Sequence, residues 1–126
     1  MFSGAMLPGR LAHVRISARD PARAARFYAA CFGWQVLRTE GDAVRFSAPG
    51  GLEGSFWGGG EPSSAGPELY VEVQGIELVV RRAVELGGMR IARVGPGPGG
   101  VLVAQLLDTE GNRVGVWELA PLTENR

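Results

Sequence analysis

One pattern of strand and helix signals occurs twice within this 126-residue chain. An internal repeat constrains a fold more than any single motif, because each copy must bury the same apolar face. Val14-Arg-Ile-Ser-Ala-Arg-Asp20 aligns with Leu69-Tyr-Val-Glu-Val-Gln-Gly75 at an offset of 55 residues. Both segments alternate apolar and polar residues at period two, the mark of a half-buried strand. A helical pattern follows each. In the first copy Asp20 suits an N-cap and Pro21 the first turn. Ala24, Phe27, Tyr28 and Cys31 recur at helical spacing, and Gly33 supplies a stop. In the second copy Ile76, Val79, Val80, Ala83 and Leu86 form the stripe, and Gly87-Gly88 ends it.

Three further strands are expected after each helix: Trp34–Thr39, Ala43–Ser47 and Gly54–Trp57, then Met89–Val94, Val101–Leu107 and Arg113–Glu118. Turn-forming residues separate them, notably Glu40-Gly-Asp42, Pro49-Gly-Gly51, Gly95–Gly100 and Asp108-Thr-Glu-Gly-Asn112. The expected fold is α+β: two βαβββ modules, near 8–57 and 68–118, joined by a linker over 58–67. They form one half-barrel sheet with helices on its outer face, and residues 1–126 make a single domain. At this length a fold buries roughly two-thirds of its extended-chain surface and needs no staple.

Composition excludes several function classes. Thirteen Arg balance thirteen Asp plus Glu, and Lys is absent. Zero net charge without a basic block argues against a nucleic-acid or anionic-membrane partner. No apolar run approaches a membrane span, and Met1 to Arg10 lacks the features of a signal peptide. A cytoplasmic protein is the simplest reading. Cys31, the sole cysteine, excludes an internal disulfide and a thiolate-rich zinc site; on the apolar stripe it reads as a core thiol. The Gly95–Gly100 stretch lacks the donors of a phosphate cradle and reads as a hairpin connection, and Arg19, Arg23 and Arg26 read as a solvated helix face.

Strand parity locates a ligand face. Val14, Ile16, Phe56, Val71, Val114 and Val116 point towards the helices. His13, Arg15, Ser17, Glu53, Ser55, Trp57, Glu68, Tyr70, Glu72, Arg113, Gly115 and Trp117 point the other way. A face mixing polar groups with paired tryptophans suits a sheltered cavity. Trp57 and Trp117 are equally readable as core or dimer-interface residues.

The chain resembles the vicinal-oxygen-chelate superfamily, the group of glyoxalases, bleomycin-resistance proteins and extradiol dioxygenases. The resemblance is carried by His13-Val-Arg-Ile-Ser-Ala-Arg-Asp20, Arg26-Phe-Tyr28, Phe32-Gly-Trp34, Tyr70-Val-Glu-Val73 and Asp108-Thr-Glu-Gly-Asn-Arg-Val-Gly-Val-Trp-Glu118. It implies a paired βαβββ half-barrel and a homodimer. Metal-dependent members take one ligand from each of four strands. The resemblance places these positions at His13, Glu68, Gly115 and Ser55. Glycine has no donor side chain and serine is a poor one, so two of four ligands remain, with Glu53 as a replacement candidate. Two protein ligands rarely hold a catalytic metal.

Two function classes follow. The first is a protein that binds a small organic, planar or aromatic molecule without a complete metal site or other cofactor. Its ligand face comprises His13, Arg15, Ser55, Trp57, Glu68, Tyr70, Gly115 and Trp117. The second is a divalent-metal-dependent lyase, isomerase or dioxygenase using His13, Glu68 and Glu53, in which the metal polarises substrate oxygens and a carboxylate moves a proton. His13 and Glu68 are the catalytic candidates, and without metal they form either an acid–base pair or a plain ion pair. A dimeric partner protein with a vestigial pocket is a third class.

Overall fold

The computed structural model describes Pro8 and residues 13–63, 69–97 and 100–119. Their order is β1 (His13–Ser17), α1 (Pro21–Phe32), β2 (Gln35–Glu40), β3 (Ala43–Ser47) and β4 (Glu53–Trp57), then β5 (Tyr70–Glu72), α2 (Ile76–Glu85), β6 (Met89–Pro96), β7 (Val101–Leu107) and β8 (Arg113–Leu119). The expected α+β fold of two βαβββ modules is borne out. The strands pair as two four-stranded sheets, β1-β4-β3-β2 and β5-β8-β7-β6, which close no barrel. Within each sheet the first and last strands run parallel and the rest antiparallel.

The repeat is exact in register. Arg15 pairs with Ser55 and Ser17 with Trp57; Tyr70 pairs with Gly115 and Glu72 with Trp117. The amides of Ala18 and Val73 donate to the carbonyls of Trp57 and Trp117, both at 2.9 Å. The first strands and helices therefore match at the 55-residue offset, whereas the last strands match at 60.

Local chemistry sets the helix ends. Asp20 accepts the Arg23 amide at 3.1 Å, and Pro21 opens α1. Gly33 ends it at φ 74°, a left-handed conformation that glycine adopts without a Cβ clash. The equivalent of Asp20 is Gly75, which has no capping side chain. Glu118 of β8 replaces it, accepting the amides of Gly75 at 3.0 Å and Ile76 at 2.9 Å. These bonds hold its carboxyl below the usual range.

One core serves both modules. Ile16, Val44, Phe46 and Phe56 on one sheet, and Ala104, Leu106, Val114 and Val116 on the other, lie in a single buried cluster with both helices. Tyr28, Trp34, Phe46 and Phe56 stack within it. Trp34, expected to begin β2, instead precedes that strand and packs against this core. Cys31 is half-buried, and burial pushes its thiol up to about 11, in keeping with a core thiol. No helix among the described residues is long and apolar enough to cross a membrane.

The turn Asp108–Asn112 ties the modules together. Tyr28 donates to Asp108 Oδ2 at 2.8 Å, and Asn112 Nδ2 donates to the Ser17 carbonyl at 2.6 Å. Glu110 accepts the Asp20 amide at 3.0 Å and two guanidinium bonds from Arg23 at 2.6 and 3.0 Å. This corrects the reading of Arg23 as a purely solvated residue: the side chain is half-exposed, but its head closes on a fully buried carboxylate. Arg19 keeps an exposed pair with Glu61. Burial pushes the Glu110 carboxyl up, but bonds from Arg23, the Asp20 amide and Thr109 outweigh it and hold the group low. Burial and the neighbouring Asp108 drive the Tyr28 hydroxyl well above its usual value.

Tyr28→Phe removes a donor from a buried carboxylate and should cost about 1–3 kcal/mol in chemical denaturation. A carboxyl lowered by folding stabilises the fold above its ordinary value of 4.5. That stability disappears as pH falls through the lower folded value. Glu110→Gln should therefore melt earlier than the parent at pH 7, and the gap should narrow in melts taken below pH 4.5.

Candidate functional site

Two sheet faces point away from the helices, and their characters differ. On the first sheet the register aligns His13, Glu53, Ser47 and Gln35 in one row. Arg15, Ser55, Arg45 and Arg38 form the next, then Ser17, Trp57, Ala43 and Glu40. On the second sheet the rows are Tyr70, Gly115, Gln105 and Ala92, then Glu72, Trp117, Val103 and Gly95. One face is thus charged and the other aromatic and apolar. The parity expected from sequence holds at each described position: Phe56, Val114 and Val116 are fully buried on the helix side.

The charged face is tied internally. Nε2 of His13 lies 3.2 Å from Oγ of Ser55; the direction of the bond follows the histidine tautomer. Ser55 is buried and His13 exposed, which suits serine as the group orienting the ring. Glu53 stands opposite His13 in register, yet its carboxylate accepts from Arg45 at 3.2 Å. Arg45 also reaches Glu40 at 3.5 Å, and its buried Nε has no hydrogen-bond partner among the described residues.

Trp57 is similarly engaged. The Arg15 guanidinium sits 3.9 Å from the ring centroid, a cation–π contact. The backbone of Gly59 and Gly60 folds against the same ring so closely that a Cβ at either position would collide with it. The glycine run after β4, read from sequence only as a linker, is what lets the chain wrap this indole.

The aromatic face is more open. Tyr70 and Trp117 are 40% and 39% exposed, with ring centroids 5.6 Å apart. Tyr70 is oriented by Gln105 Nε2, which donates to its hydroxyl at 2.7 Å, and Arg113 donates to Gln105 Oε1 at 3.3 Å. The Tyr70 ring lies over Gly115, where a Cβ would stand 2.7 Å from its Cε2. Strand parity in the sequence placed Arg113 on the outward face without assigning it a role, and Gln105 was not singled out; its alternation on β7 with buried Leu106 is the signal that would have found it.

Of the positions at which the resemblance implies metal ligands, His13, Ser55 and Gly115 are described, as is the replacement candidate Glu53. His13 contacts Ser55, Glu53 is paired with Arg45, and Gly115 is roofed by a tyrosine ring. Glu68 falls outside the described residues. Among the described residues no three His, Cys, Asp or Glu side chains cluster. Tyr70 also borders a cavity of about 480 Å³ between β5 and the aromatic core of the first module, and neither Trp57 nor Trp117 lines it.

Comparison with known proteins agrees with this architecture. A family model described as a glyoxalase-like domain matches residues 13–117. A glyoxylase-like domain-containing protein of Didymella fabae is 28% identical over 117 residues, spanning 85% of this chain and 91% of its own. The glyoxalase/bleomycin resistance protein/dioxygenase family enzyme from Burkholderia phytofirmans PsJN superposes with a TM-score of 0.76 at 20% identity, over 86% of this chain and 98% of its own. The glyoxalase-related enzyme from Fulvimarina pelagi gives 0.71 at 20%, over 87% and 88%. TioX from Micromonospora sp. ML1 gives 0.66 at 22%, over 89% and 100%. These structural likenesses speak to the fold, while the family match runs from the start of β1 to Trp117 in β8. The chain belongs to the glyoxalase-like domain family, within the vicinal-oxygen-chelate superfamily that its sequence resembles.

Proposed function

We propose that this protein binds a small planar aromatic molecule on the sheet faces turned away from its helices, without a complete metal site. The observation that carries this reading is the Tyr70–Trp117 pair, two partly exposed rings side by side on the less charged of the two faces. Adjacent exposed aromatic rings offer a stacking surface that gains roughly 0.5–1.5 kcal/mol beyond area burial. Trp57 contributes less, because Arg15 and the Gly59–Gly60 backbone already occupy its ring. Arg15, Ser55 and His13 on the charged face supply polar contacts to substituents of the ligand. Sequestration, the role of bleomycin-resistance proteins, fits such a surface without requiring a reaction.

The competing reading is a metal-dependent lyase, isomerase or dioxygenase. It rests on His13 at the first ligand position and on Glu68. Against it stands the ring of Tyr70 over Gly115, where the last strand of metal-dependent members presents a donor. We also propose a homodimer. β1 and β5 each pair along one edge only, and unpaired edges invite partners.

Titration with planar aromatic compounds should change tryptophan fluorescence, and Trp117→Ala should weaken that binding by about tenfold, in line with loss of a stacked ring. Unchanged affinity in Trp117→Ala would remove the basis of the reading. Elemental analysis of protein purified without an affinity metal should find well under one equivalent of transition metal; a stoichiometric metal lost in His13→Ala would favour the enzyme reading instead. Gly115→Ala should displace the Tyr70 ring and cost about 1–3 kcal/mol of stability, the usual penalty of overpacking, measured by denaturant melts. Sedimentation at micromolar concentration should give the mass of a dimer.

A further inference from the structure

The two modules meet along two seams related by the repeat, and the chain treats them differently. At one seam the turn Asp108–Asn112 faces β1 and α1. At the other its equivalent, Ala48–Leu52, faces β5. The two turns close with the same hydrogen bonds: Asp108 N to Asn112 O and Ala48 N to Leu52 O, both 2.8 Å, then Gly111 N to Asp108 O at 3.2 Å and Gly51 N to Ala48 O at 3.1 Å. Their side chains do not match. Asp108, Glu110 and Asn112 correspond to Ala48, Gly50 and Leu52. Every polar group that clasps the first seam is missing from the second.

The groups facing the second turn have changed as well. Tyr28, which donates to Asp108, corresponds to Ala83, and Arg23, which pairs with Glu110, corresponds to Leu78. The clasped seam retains a pocket of about 210 Å³ whose lining includes Arg15, Glu61, Asn112 and Arg113. The unclasped seam opens into the cavity of about 480 Å³. Trp34 and Phe46 from the stacked core, Leu52 from the turn, and Leu69 and Val71 from the second module line it. That volume lies within the range of small-molecule sites.

We infer that this unclasped seam is a second binding site, adjoining the outward face of the second sheet at Tyr70 and Glu72, and that its occupant is an uncharged planar ring molecule. The chemistry of the lining selects the class. Among the described residues that line it, aromatic and aliphatic side chains dominate, and there is no Lys, Arg or His. Glu72 is the one acidic residue among the described lining residues, so an anion would lose its hydration and meet no counter-charge from them. A neutral ring meets the aromatic wall at Trp34 and Phe46 with no such cost. Tyr70 borders both sites, but Trp117 does not border this cavity, so a change at Trp117 separates this inference from the Tyr70–Trp117 reading.

The test is a pair of two-dimensional NMR titrations of the full chain, with 2-naphthylmethanol and with 2-naphthoate. The neutral compound should shift amides of Trp34, Leu52 and Val71, and bind at least about tenfold more tightly than the carboxylate. Leu52→Trp and Ala48→Phe each fill the cavity from the turn, and either one that folds should abolish those shifts. Trp117→Ala should leave them unchanged. The inference is overturned if neither compound shifts these amides, if naphthoate binds there as tightly, if both folded filling variants bind like the parent, or if Trp117→Ala abolishes the shifts.

Discussion

The fold depends on a buried carboxylate cluster between its halves. Asp108 and Glu110 are buried on a turn of the second module, and beside the bonds of that turn each takes bonds from the first module: Asp108 from Tyr28, Glu110 from Arg23 and the Asp20 amide. A carboxylate removed from water is tolerated only with such partners. These bonds therefore hold a defined relation between β1, α1 and the second sheet, which apolar packing alone leaves adaptable. Asn112 adds a bond to the Ser17 carbonyl on the edge of β1. With that relation set, one apolar core can serve both helices and both sheets.

The repeat and its departures explain the rest of the architecture. A capping aspartate in the first module becomes Gly75 in the second, and Glu118 compensates from a strand position 43 residues further along. A polar turn in the second module becomes an apolar one in the first, and a cavity takes the place of the clasp. The first core is built from stacked aromatic rings and the second from Val, Leu and Ala. Two modules of one pattern have thus divided the labour: the second supplies the ties, and the first supplies an aromatic wall.

The outward faces are divided in the same way. Arginine and glutamate neutralise one another around Arg45 on the first sheet, leaving His13 held by Ser55 and Trp57 held by Arg15. The second sheet offers two rings and few charges. Gly115 permits this, since any larger residue there would push Tyr70 away from the sheet. The residue that stands where the resemblance implies a metal ligand is also the one that makes room for the Tyr70 ring.

Periodicity and punctuation in the sequence determined the elements, their order and the direction of their side chains. Alternation at period two and Asp20, Pro21 and Gly33 at the ends of α1 are local signals, and they act through local sterics and hydrogen bonds. The 55-residue offset also anticipated which residues of the first strand and helix of the two modules are equivalent. Contacts across the repeat were decided only by the tertiary structure. That Glu110 meets Arg23, that Glu118 caps α2, that Tyr70 lies over Gly115 and that Gly59 and Gly60 close on Trp57 all depend on how strands are brought together. A charged side chain in a turn reads the same whether it points into water or into a neighbouring module, and only packing separates the two.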